Sequence, residues 1–214
     1  MAVNSRVLMQ AVLLLGSTGA GKTPLGEYLE SERLWGRICH HFDFGANLRA
    51  VVGGDTVAVF TTAEVAFLRR VLQEGALLEK DQFHLAARIL DGFLKRKRAR
   101  PTDLLVLNGL PRHVAQAKAL ARWVTIIAVI ELRCKPGTVS ERLRRDSGGD
   151  RAGRSDDAGA LIARKLATYR KRTRPLIAHY HAQGVPVTVL DVDVDTQPQD
   201  LIGALNRNPP PSNS

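Results

Sequence analysis

Residues 7–23 read VLMQAVLLLGSTGAGKT, an apolar run followed by a glycine-rich loop that ends in lysine and threonine. Such a loop between a strand and a helix forms a phosphate cradle, because glycine lets successive backbone N–H groups turn inward around phosphate oxygens. Lys22 is placed to reach the outer phosphates of a nucleoside triphosphate, and the Thr23 hydroxyl is placed to meet Mg²⁺. The spacing matches a full P-loop and predicts nucleotide binding. The predicted phosphate-binding residues are Gly16, Gly19, Ala20, Gly21, Lys22 and Thr23.

Apolar runs and amphipathic segments alternate along the rest of the chain. Each apolar run is short and nearly continuous, as in a strand that is buried on both faces of a parallel sheet. The pattern predicts an α/β fold in which helices cover both faces of a five-stranded parallel sheet. The predicted strands are residues 7–15, 38–43, 103–107, 126–132 and 185–190. The predicted helices are residues 22–33, 61–73, 80–97, 113–121, 136–145 and 158–181, the last with a kink at Pro175.

The composition is that of an ordinary globular protein. The 214 residues are 44% hydrophobic and 24% charged, which excludes intrinsically disordered and collagen-like classes. The length fits one core with insertions over residues 1–206, and the polar tail at residues 207–214 is expected to be disordered. No apolar run approaches the ~20 residues of a membrane-spanning helix, so we expect no membrane span. The two cysteines, Cys39 and Cys134, lack the spacing of a disulfide framework or zinc site, which favours a reducing, cytoplasmic compartment.

The charge pattern points to an anionic partner. The formal net charge is +10, and much of the excess lies between Arg142 and Arg174. A second basic run, Lys95-Arg96-Lys97-Arg98-Ala99-Arg100, ends just before Pro101, and cations are favourable at the C-terminal end of a helix. That run indicates a solvated helix end, with a nucleic-acid surface as the alternative.

Four segments in a fixed order extend the interpretation beyond nucleotide binding. They are the P-loop; Gly45-Ala46-Asn47-Leu48-Arg49; Leu107-Asn108-Gly109-Leu110-Pro111-Arg112, followed by Gln116-Ala117; and Gly153-Arg154-Ser155-Asp156-Asp157 before the last long helix. On these segments the chain resembles the adenylate kinase family of nucleoside monophosphate kinases, from Val7 to Leu205. The short, cysteine-free segment around Arg154 is similar to the zinc-free, short-lid type of that family.

The resemblance implies a P-loop NTPase fold with two mobile insertions. These are an acceptor-binding segment at residues 43–78 and a lid at residues 146–157. The implied reaction is reversible transfer of the ATP γ-phosphoryl group to a nucleoside monophosphate, with AMP as the favoured acceptor and Mg²⁺ as the metal. Such a reaction needs two phosphate groups held in line with their charge neutralised. The implied partner is the monophosphate substrate of a monomeric enzyme, without a membrane or nucleic-acid partner.

The same resemblance assigns roles to individual residues. Arg49 and Arg112 would hold the acceptor phosphate, for which the bidentate guanidinium is better suited than lysine. Gln116 would read the acceptor base, Arg142 would lie against the ATP adenine, and Arg154 would close over the transferring phosphoryl group. The implied set is Lys22, Arg112 and Arg154 for catalysis; the P-loop residues and Arg142 for ATP; Gly45, Arg49, Gly109, Arg112 and Gln116 for the monophosphate; and Thr23 and Asn108 for Mg²⁺.

The chain also departs from the family pattern. Asn108 stands where the family usually has an aspartate that helps to hold the Mg²⁺ hydration shell, so an oxygen remains but the charge is lost. The sequence Asp43-Phe44-Gly45 replaces the usual Ser-Thr-Gly, which leaves the identity of the acceptor base open. Asp146 and Lys165 occupy the places of two phosphate-binding arginines, and an arginine precedes each of them directly. These two departures indicate either one-residue shifts of alignment or weaker phosphate contacts.

Three functions from different classes follow from these observations. An active nucleoside monophosphate kinase is favoured by Gln116 and by the pair of acceptor-side arginines. A P-loop kinase of the same fold with another small acceptor is suggested by Phe44 and by the basic surface. A nucleotide-binding protein with little catalysis, acting as a partner or nucleic-acid module, is suggested by Asn108, Asp146 and Lys165 and by the basic run at residues 95–100.

Overall fold

The computed structural model describes residues 8–56, 58–149, 159–207 and 209–210. Five parallel strands form its central sheet. They are β1 (Met9–Gly16), β2 (Cys39–Asp43), β3 (Leu104–Asn108), β4 (Val124–Arg133) and β5 (Val187–Asp191). Their order in the sheet is β2-β3-β1-β4-β5, so β1 is central and β2 and β5 form the edges. The predicted α/β class and all five predicted strands are confirmed.

The described helices lie between and after these strands. They are α1 (Lys22–Glu32), α2 (Phe44–Gly53), α3 (Thr62–Glu74), α4 (Phe83–Lys97), α5 (Val114–Leu120), α6 (Pro136–Arg145), α7 (Gly159–Thr168), α8 (Pro175–His181) and α9 (Pro198–Arg207). A short 3₁₀ turn at Lys80–Gln82 precedes α4. Helices α2 and α3 make up most of the predicted acceptor-binding segment, whereas only residues 146–149 of the predicted lid lie within the described part of the chain.

Alternate residues of the strands face two separate apolar layers. In β1, Leu13 packs into the layer that α4, α5 and α8 cover, whereas Leu14 packs into the layer that α1 and α9 cover. Both side chains are almost completely buried, and burial of a leucine contributes about 1.5–3 kcal/mol to folding. Since neither face of β1 is exposed, its continuous apolar sequence is the one that a central parallel strand requires. The helices therefore cover both faces of the sheet, as expected.

Two helices were not predicted from the sequence. Helix α2 follows Asp43, whose side chain caps it by accepting a hydrogen bond from the Ala46 backbone N–H at 2.9 Å. Its buried Phe44, Leu48 and Val51 follow a helical spacing, which is the signal that was missed. Helix α9 extends through Arg207, so the prediction that a disordered tail begins at residue 207 is wrong for that residue. Residues 208 and 211–214 lie outside the described part.

The long helix predicted at residues 158–181 is interrupted. Helix α7 ends at Thr168, a π-helical turn spans Tyr169–Thr173, and α8 begins at Pro175. Pro175 has no backbone N–H with which to continue the helical bonding, and the Arg174 N–H donates to Tyr169 O, five residues back, at 2.8 Å. Within this turn the Thr173 hydroxyl donates to Arg112 O at 2.9 Å. The interruption thus ties the last helical region to the segment after β3.

Among the described residues, we find no helix that combines the length and the apolar character of a membrane span.

Gly26 in α1 provides a test of this packing. A Cβ atom at position 26 would lie only 2.7 Å from Cγ of His41, whose ring is buried and has little room to move. We expect Gly26→Ala to lower the free energy of unfolding by about 1–3 kcal/mol through overpacking, although alanine favours a helix over glycine by up to ~1 kcal/mol. Urea unfolding measures this change.

The matched control is Gly137→Ala in α6, where an added Cβ meets nothing within 4 Å. We expect this control to be neutral or to raise stability by up to ~1 kcal/mol. Equal changes in the free energy of unfolding for the two substitutions would contradict the close contact between Gly26 of α1 and His41 of β2.

Candidate active site

A cleft opens at the carboxyl ends of β1, β2 and β3. Parallel strands expose their loops at the same edge of a sheet, and ligands of open α/β sheets bind in the crevice outside these ends. The P-loop, the start of α2 and the segment after β3 border the cleft on the sheet side. The end of α3 and residues Lys165, Tyr169 and Thr173 also border it. The fold therefore brings the predicted P-loop and the predicted acceptor-side residues to one place.

The P-loop has the backbone of a phosphate cradle. Gly19 and Gly21 have φ angles of 78° and 89°, in the left-handed region that glycine adopts without strain. A Cβ atom at Gly19 would also lie 2.9 Å from Cγ of Leu143, so space excludes a side chain there as well. Gly21 directly precedes α1, and the first N–H groups of a helix are open to an anion. The loop thus has the strand–loop–helix backbone that the glycine spacing predicts, and its binding of phosphate stays a prediction.

Lys22 spans the loop from its own helix. Its ammonium group donates hydrogen bonds to Gly16 O at 2.9 Å and to Ser17 O at 2.7 Å. The side chain is half-buried along the loop. This places a positive charge on the loop that would surround the phosphates.

Three polar side chains meet beside the P-loop, one from each of three neighbouring chain segments. The Thr23 hydroxyl donates to Asp43 Oδ2 at 2.8 Å, and the Asn108 amide nitrogen lies 3.1 Å from both Thr23 Oγ1 and Asp43 Oδ2. Hydroxyl and carboxylate oxygens are ligands that suit Mg²⁺, which proteins usually hold with one or two carboxylates together with substrate phosphates. The described residues contain no group of three His, Cys, Asp or Glu side chains that would form a separate metal site. The donor set therefore fits Mg²⁺ bound with a nucleotide.

Two arginines of the predicted acceptor side border the cleft. Arg112 is half-buried, and burial lowers the pKa of its guanidinium group. Among the described residues, no side chain pairs with this guanidinium, whereas the Arg112 backbone is held at both its N–H and its C=O. Arg49 is exposed on α2 and borders the same cleft. A partly desolvated guanidinium that has no side-chain partner among the described residues favours a phosphate ligand.

Two glycines leave room on this side of the cleft. Gly109 follows β3 with a φ of 82°, and a Cβ there would lie 3.5 Å from Cβ of Phe44. A Cβ at Gly45 would lie 3.5 Å from Arg49 Nη1 and 3.2 Å from Asp43 Oδ1. Both glycines border the cleft, so a ligand is able to approach the backbone closely at these two positions.

Gln116 and Phe44 border the apolar part of the cleft. The Gln116 side chain is buried; its amide donates to Leu78 O at 2.7 Å and accepts from the Arg112 backbone N–H at 2.7 Å. Gln116 therefore braces the end of the acceptor segment against Arg112, and it retains a second amide N–H for a ligand. Phe44 lies at the start of α2, with its ring centroid 6.2 Å from that of Phe42. That Gln116 reads a base stays a prediction.

Arg142 has a structural role that its position in the sequence did not indicate. Its guanidinium donates to Gly19 O in the P-loop at 3.1 Å and to Asp193 O, Val194 O and Thr196 O, between β5 and α9, at 2.6, 2.9 and 3.2 Å. The residue is 4% exposed. It fastens the P-loop to the loop after β5, and its contact with adenine stays a prediction.

At two positions the chain departs from the family's phosphate-binding arginines, and the structure shows which residues of the two pairs, Arg164 with Lys165 and Arg145 with Asp146, border the cleft. Lys165 borders the cleft, whereas Arg164 is exposed and does not. Asp146 ends α6 with a φ of 49°, and Arg145 pairs with Glu141 on the same helix. Neither Asp146 nor Arg145 borders the cleft. Arg154 lies outside the described residues, so its predicted role stays a prediction.

Asp43 and Tyr169 border the cleft, although the sequence motifs do not indicate them as functional candidates. Asp43 was interpreted only as part of a changed base pocket; the missed signal is a carboxylate at the end of a buried strand. Tyr169 lies in the π-helical turn, and burial, with a smaller contribution from Glu131, raises its pKa to about 12. Its phenol is therefore neutral at physiological pH and remains a hydrogen-bond donor.

Several curated proteins are similar to this chain over most of its length. An adenylate kinase of Prochlorococcus marinus (strain MIT 9313) is 33% identical over 192 residues, which cover 85% of this chain and 90% of that protein. An adenylate kinase of Nitrobacter winogradskyi is 28% identical and covers 92% of this chain and 93% of its own length. An adenylate kinase of Thermus thermophilus is 29% identical, with 82% and 86% covered. No family model matches the chain.

A solved structure supports the fold. The unliganded crystal structure of a sugar kinase from Janibacter sp. HTCC2649 has a TM-score of 0.51 with this chain and covers 91% of both chains. The two sequences are 15% identical, so this likeness shows the fold alone.

Arg142 allows the link between the P-loop and the β5–α9 loop to be tested. Arg142→Ala leaves several carbonyl groups without their donor, so we expect the free energy of unfolding to fall by about 2–4 kcal/mol. Arg144→Ala on the same helix removes only an exposed pair with Glu141 and is expected to cost less than ~1 kcal/mol. Denaturant unfolding of both variants measures the difference, and similar losses would show that Arg142 does not fasten the loop.

Proposed function

Because the chain belongs to the adenylate kinase family, and is therefore a phosphotransferase, we propose that it transfers the γ-phosphoryl group of ATP to AMP and forms two molecules of ADP. The observation that carries this proposal is the grouping of two sets of cationic residues, each suited to a phosphate, around one cleft. The P-loop with Lys22 forms one side, and Arg112 with Arg49 forms the other. A protein that only bound ATP would need the first side alone.

The cleft supports the reaction by positioning and by charge. Lys22 would neutralise the outer phosphates of ATP, and the P-loop N–H groups would hold their oxygens. Arg112 and Arg49 would hold the acceptor phosphate, and two hydrogen bonds fix the Arg112 backbone from which the first guanidinium extends. Mg²⁺, bound with ATP near Thr23, would supply further positive charge to the phosphates. Phosphoryl transfer asks for this alignment more than for covalent chemistry by the protein.

Exclusion of water would complete the site. We propose that the segment at residues 43–78 and the lid at residues 146–157, with Arg154, close over both nucleotides so that ATP is not hydrolysed. The hydrogen bond from Gln116 to Leu78 O lies at the end of the first segment. Through this bond, a movement of residues 43–78 would change the position of Gln116 in the acceptor site.

AMP is the acceptor that the apolar part of the cleft supports. Phe44, Leu48 and Val71 border it and offer an apolar surface to a base, and the second amide N–H of Gln116 offers a polar contact. The curated relatives named adenylate kinase agree with this choice.

The basic run at residues 95–100 gives little support to a nucleic-acid surface. Lys95 pairs with Asp91, Lys97 pairs with Glu30, and Arg100 pairs with Asp103. These contacts fit the helix-end interpretation, because α4 ends at Lys97. We therefore propose nucleotides rather than nucleic acids as the anionic partners of this chain.

We further propose that the enzyme acts as a monomer in the cytoplasm. One chain supplies both phosphate-binding sides of the cleft, so no second copy is needed to complete them. Both cysteines are free, as is usual in a reducing compartment. Burial raises the pKa of the Cys39 thiol to about 11, which lowers the reactivity of this thiol.

An activity panel tests the proposed function. With ATP and Mg²⁺, AMP is expected to give the highest rate among AMP, dAMP, CMP, UMP and GMP in an assay coupled to ADP formation. Lys22→Ala should lower the AMP-dependent rate by about 10²–10³-fold, since one positioned donor to the transferring charge is lost. Lys118→Ala, an exposed lysine on α5, is the control and should retain the full rate.

Two outcomes would contradict the proposal. A rate that does not depend on any monophosphate would remove the acceptor side from the mechanism. A Lys22→Ala variant with unchanged circular dichroism and a rate within a few-fold of the control would remove the P-loop.

A further inference from the structure

We propose that Asp43 supplies the negative charge that holds Mg²⁺ in this site, and that Asn108 is a positioning residue for that carboxylate. The proposal rests on the proposed use of MgATP, and it changes the residue that carries the metal. The sequence resemblance assigned the metal to Thr23 and Asn108. The structure indicates instead that Asp43 provides the charge and that Asn108 orients it.

Asp43 and Asn108 are direct neighbours in the sheet. They are the last residues of β2 and β3, and the register of this parallel pair places them opposite each other. Thr23 lies at the start of α1, directly after the P-loop that follows β1. The three residues therefore converge at one corner of the cleft, beside the predicted phosphate position.

The Asp43 carboxylate is fixed at both oxygens. Oδ1 caps α2 by accepting from the Ala46 N–H, whereas Oδ2 accepts from Thr23 and from Asn108. A helix cap needs only one of these oxygens. The second oxygen is therefore oriented toward the P-loop by two further donors, which a capping role alone does not require.

The charges around the cleft place one carboxylate among several cations. Asp43 is the only acidic residue among the described residues that border the cleft, and it forms no ion pair with a described residue. Lys22, Arg49, Arg112 and Lys165 give the same cleft a positive character, as a polyphosphate requires. A carboxylate facing a triphosphate repels it unless a divalent cation lies between them. Mg²⁺ carried by the nucleotide resolves this conflict.

Asn108 fits the role of a donor better than that of a ligand. Its side chain is 5% exposed, and its amide nitrogen contacts both Asp43 Oδ2 and Thr23 Oγ1. A second carboxylate at this position would face Asp43 across the strand pair, where like charges are destabilising. The neutral amide at position 108 is therefore compatible with the carboxylate at position 43, and the negative charge of the pair lies at the end of β2.

Metal binding to the complex with a non-hydrolysable ATP analogue tests this assignment without any phosphoryl transfer. The affinity of Mn²⁺ for the complex is measured by electron paramagnetic resonance, and the affinity of the analogue without metal is measured by calorimetry. We expect Asp43→Asn to weaken Mn²⁺ binding by about 10–100-fold and to leave metal-free binding of the analogue unchanged or stronger. Asparagine caps helices as well as aspartate does, so α2 is retained.

The control substitution is Asp55→Asn, which removes an exposed carboxylate from the same segment. We expect no change in Mn²⁺ affinity. Equal Mn²⁺ affinities of Asp43→Asn and Asp55→Asn would overturn the proposal.

The double variant Asp43→Asn/Asn108→Asp transfers the carboxylate from the end of β2 to the end of β3. We expect it to recover most of the Mn²⁺ affinity that Asp43→Asn loses, because the same charge faces the same corner from the neighbouring strand. A double variant as weak as Asp43→Asn, with an unchanged circular dichroism spectrum, would show that the lost charge is not what the metal required.

These measurements are independent of the acceptor. If AMP is not phosphorylated but Asp43→Asn still weakens Mn²⁺ binding, the proposed function fails and the metal assignment holds. If AMP is phosphorylated and Asp43→Asn leaves the Mn²⁺ affinity unchanged, the proposed function holds and the metal assignment fails.

Discussion

The parallel pairing of β1 with β3 is the contact on which the rest of this structure depends. It places the P-loop at the end of β1 beside the end of β3, from which Asn108 and the segment leading to Arg112 emerge. The pairing is stabilised by apolar residues on both faces of the sheet, where Leu13 and Leu107 contribute to one layer and Leu14 and Val106 to the other. A shift of register would separate the P-loop from the segment leading to Arg112 and also expose these layers. Stability and function are therefore linked through the same strand pair.

Side chains from distant parts of the chain then fix the cleft. Arg142 joins the P-loop to the loop after β5, Gln116 joins Arg112 to Leu78, and Thr173 holds the Arg112 carbonyl from the π-helical turn. Each contact uses backbone groups, so it fixes the position of a loop rather than the identity of its side chains. The P-loop and the Arg112 backbone are thereby positioned before a nucleotide binds, which reduces the ordering that binding requires.

Much of this arrangement could be predicted from the sequence, because the relevant signals are local. The strands are continuous apolar runs, and the predicted bounds of α6 agree with the structure because Pro136 suits a first helical position and the helix ends before a turn. The P-loop is recognisable by spacing alone. The position of Asp43 at the end of a buried strand is a sequence signal for the site, but the contacts of Asp43 with Asn108 and of Arg142 with Gly19 could not be predicted, since they join segments 65 and 123 residues apart. Helix α2 was missed because its short apolar pattern begins directly at the end of β2, without a turn to separate the two elements.

The central claim is that one cleft binds two nucleotides with their phosphates facing each other. The most direct test compares the affinities of ATP and of diadenosine pentaphosphate, which links two adenosines through five phosphates, by calorimetry in the presence of Mg²⁺. If both sides bind at once, linkage makes the second contact intramolecular, and the linked ligand should bind about 10²–10⁴-fold more tightly than ATP, with one molecule per chain. Binding of the linked ligand no tighter than that of ATP would contradict the claim, because it would show that Arg112 and Arg49 do not receive a second nucleotide.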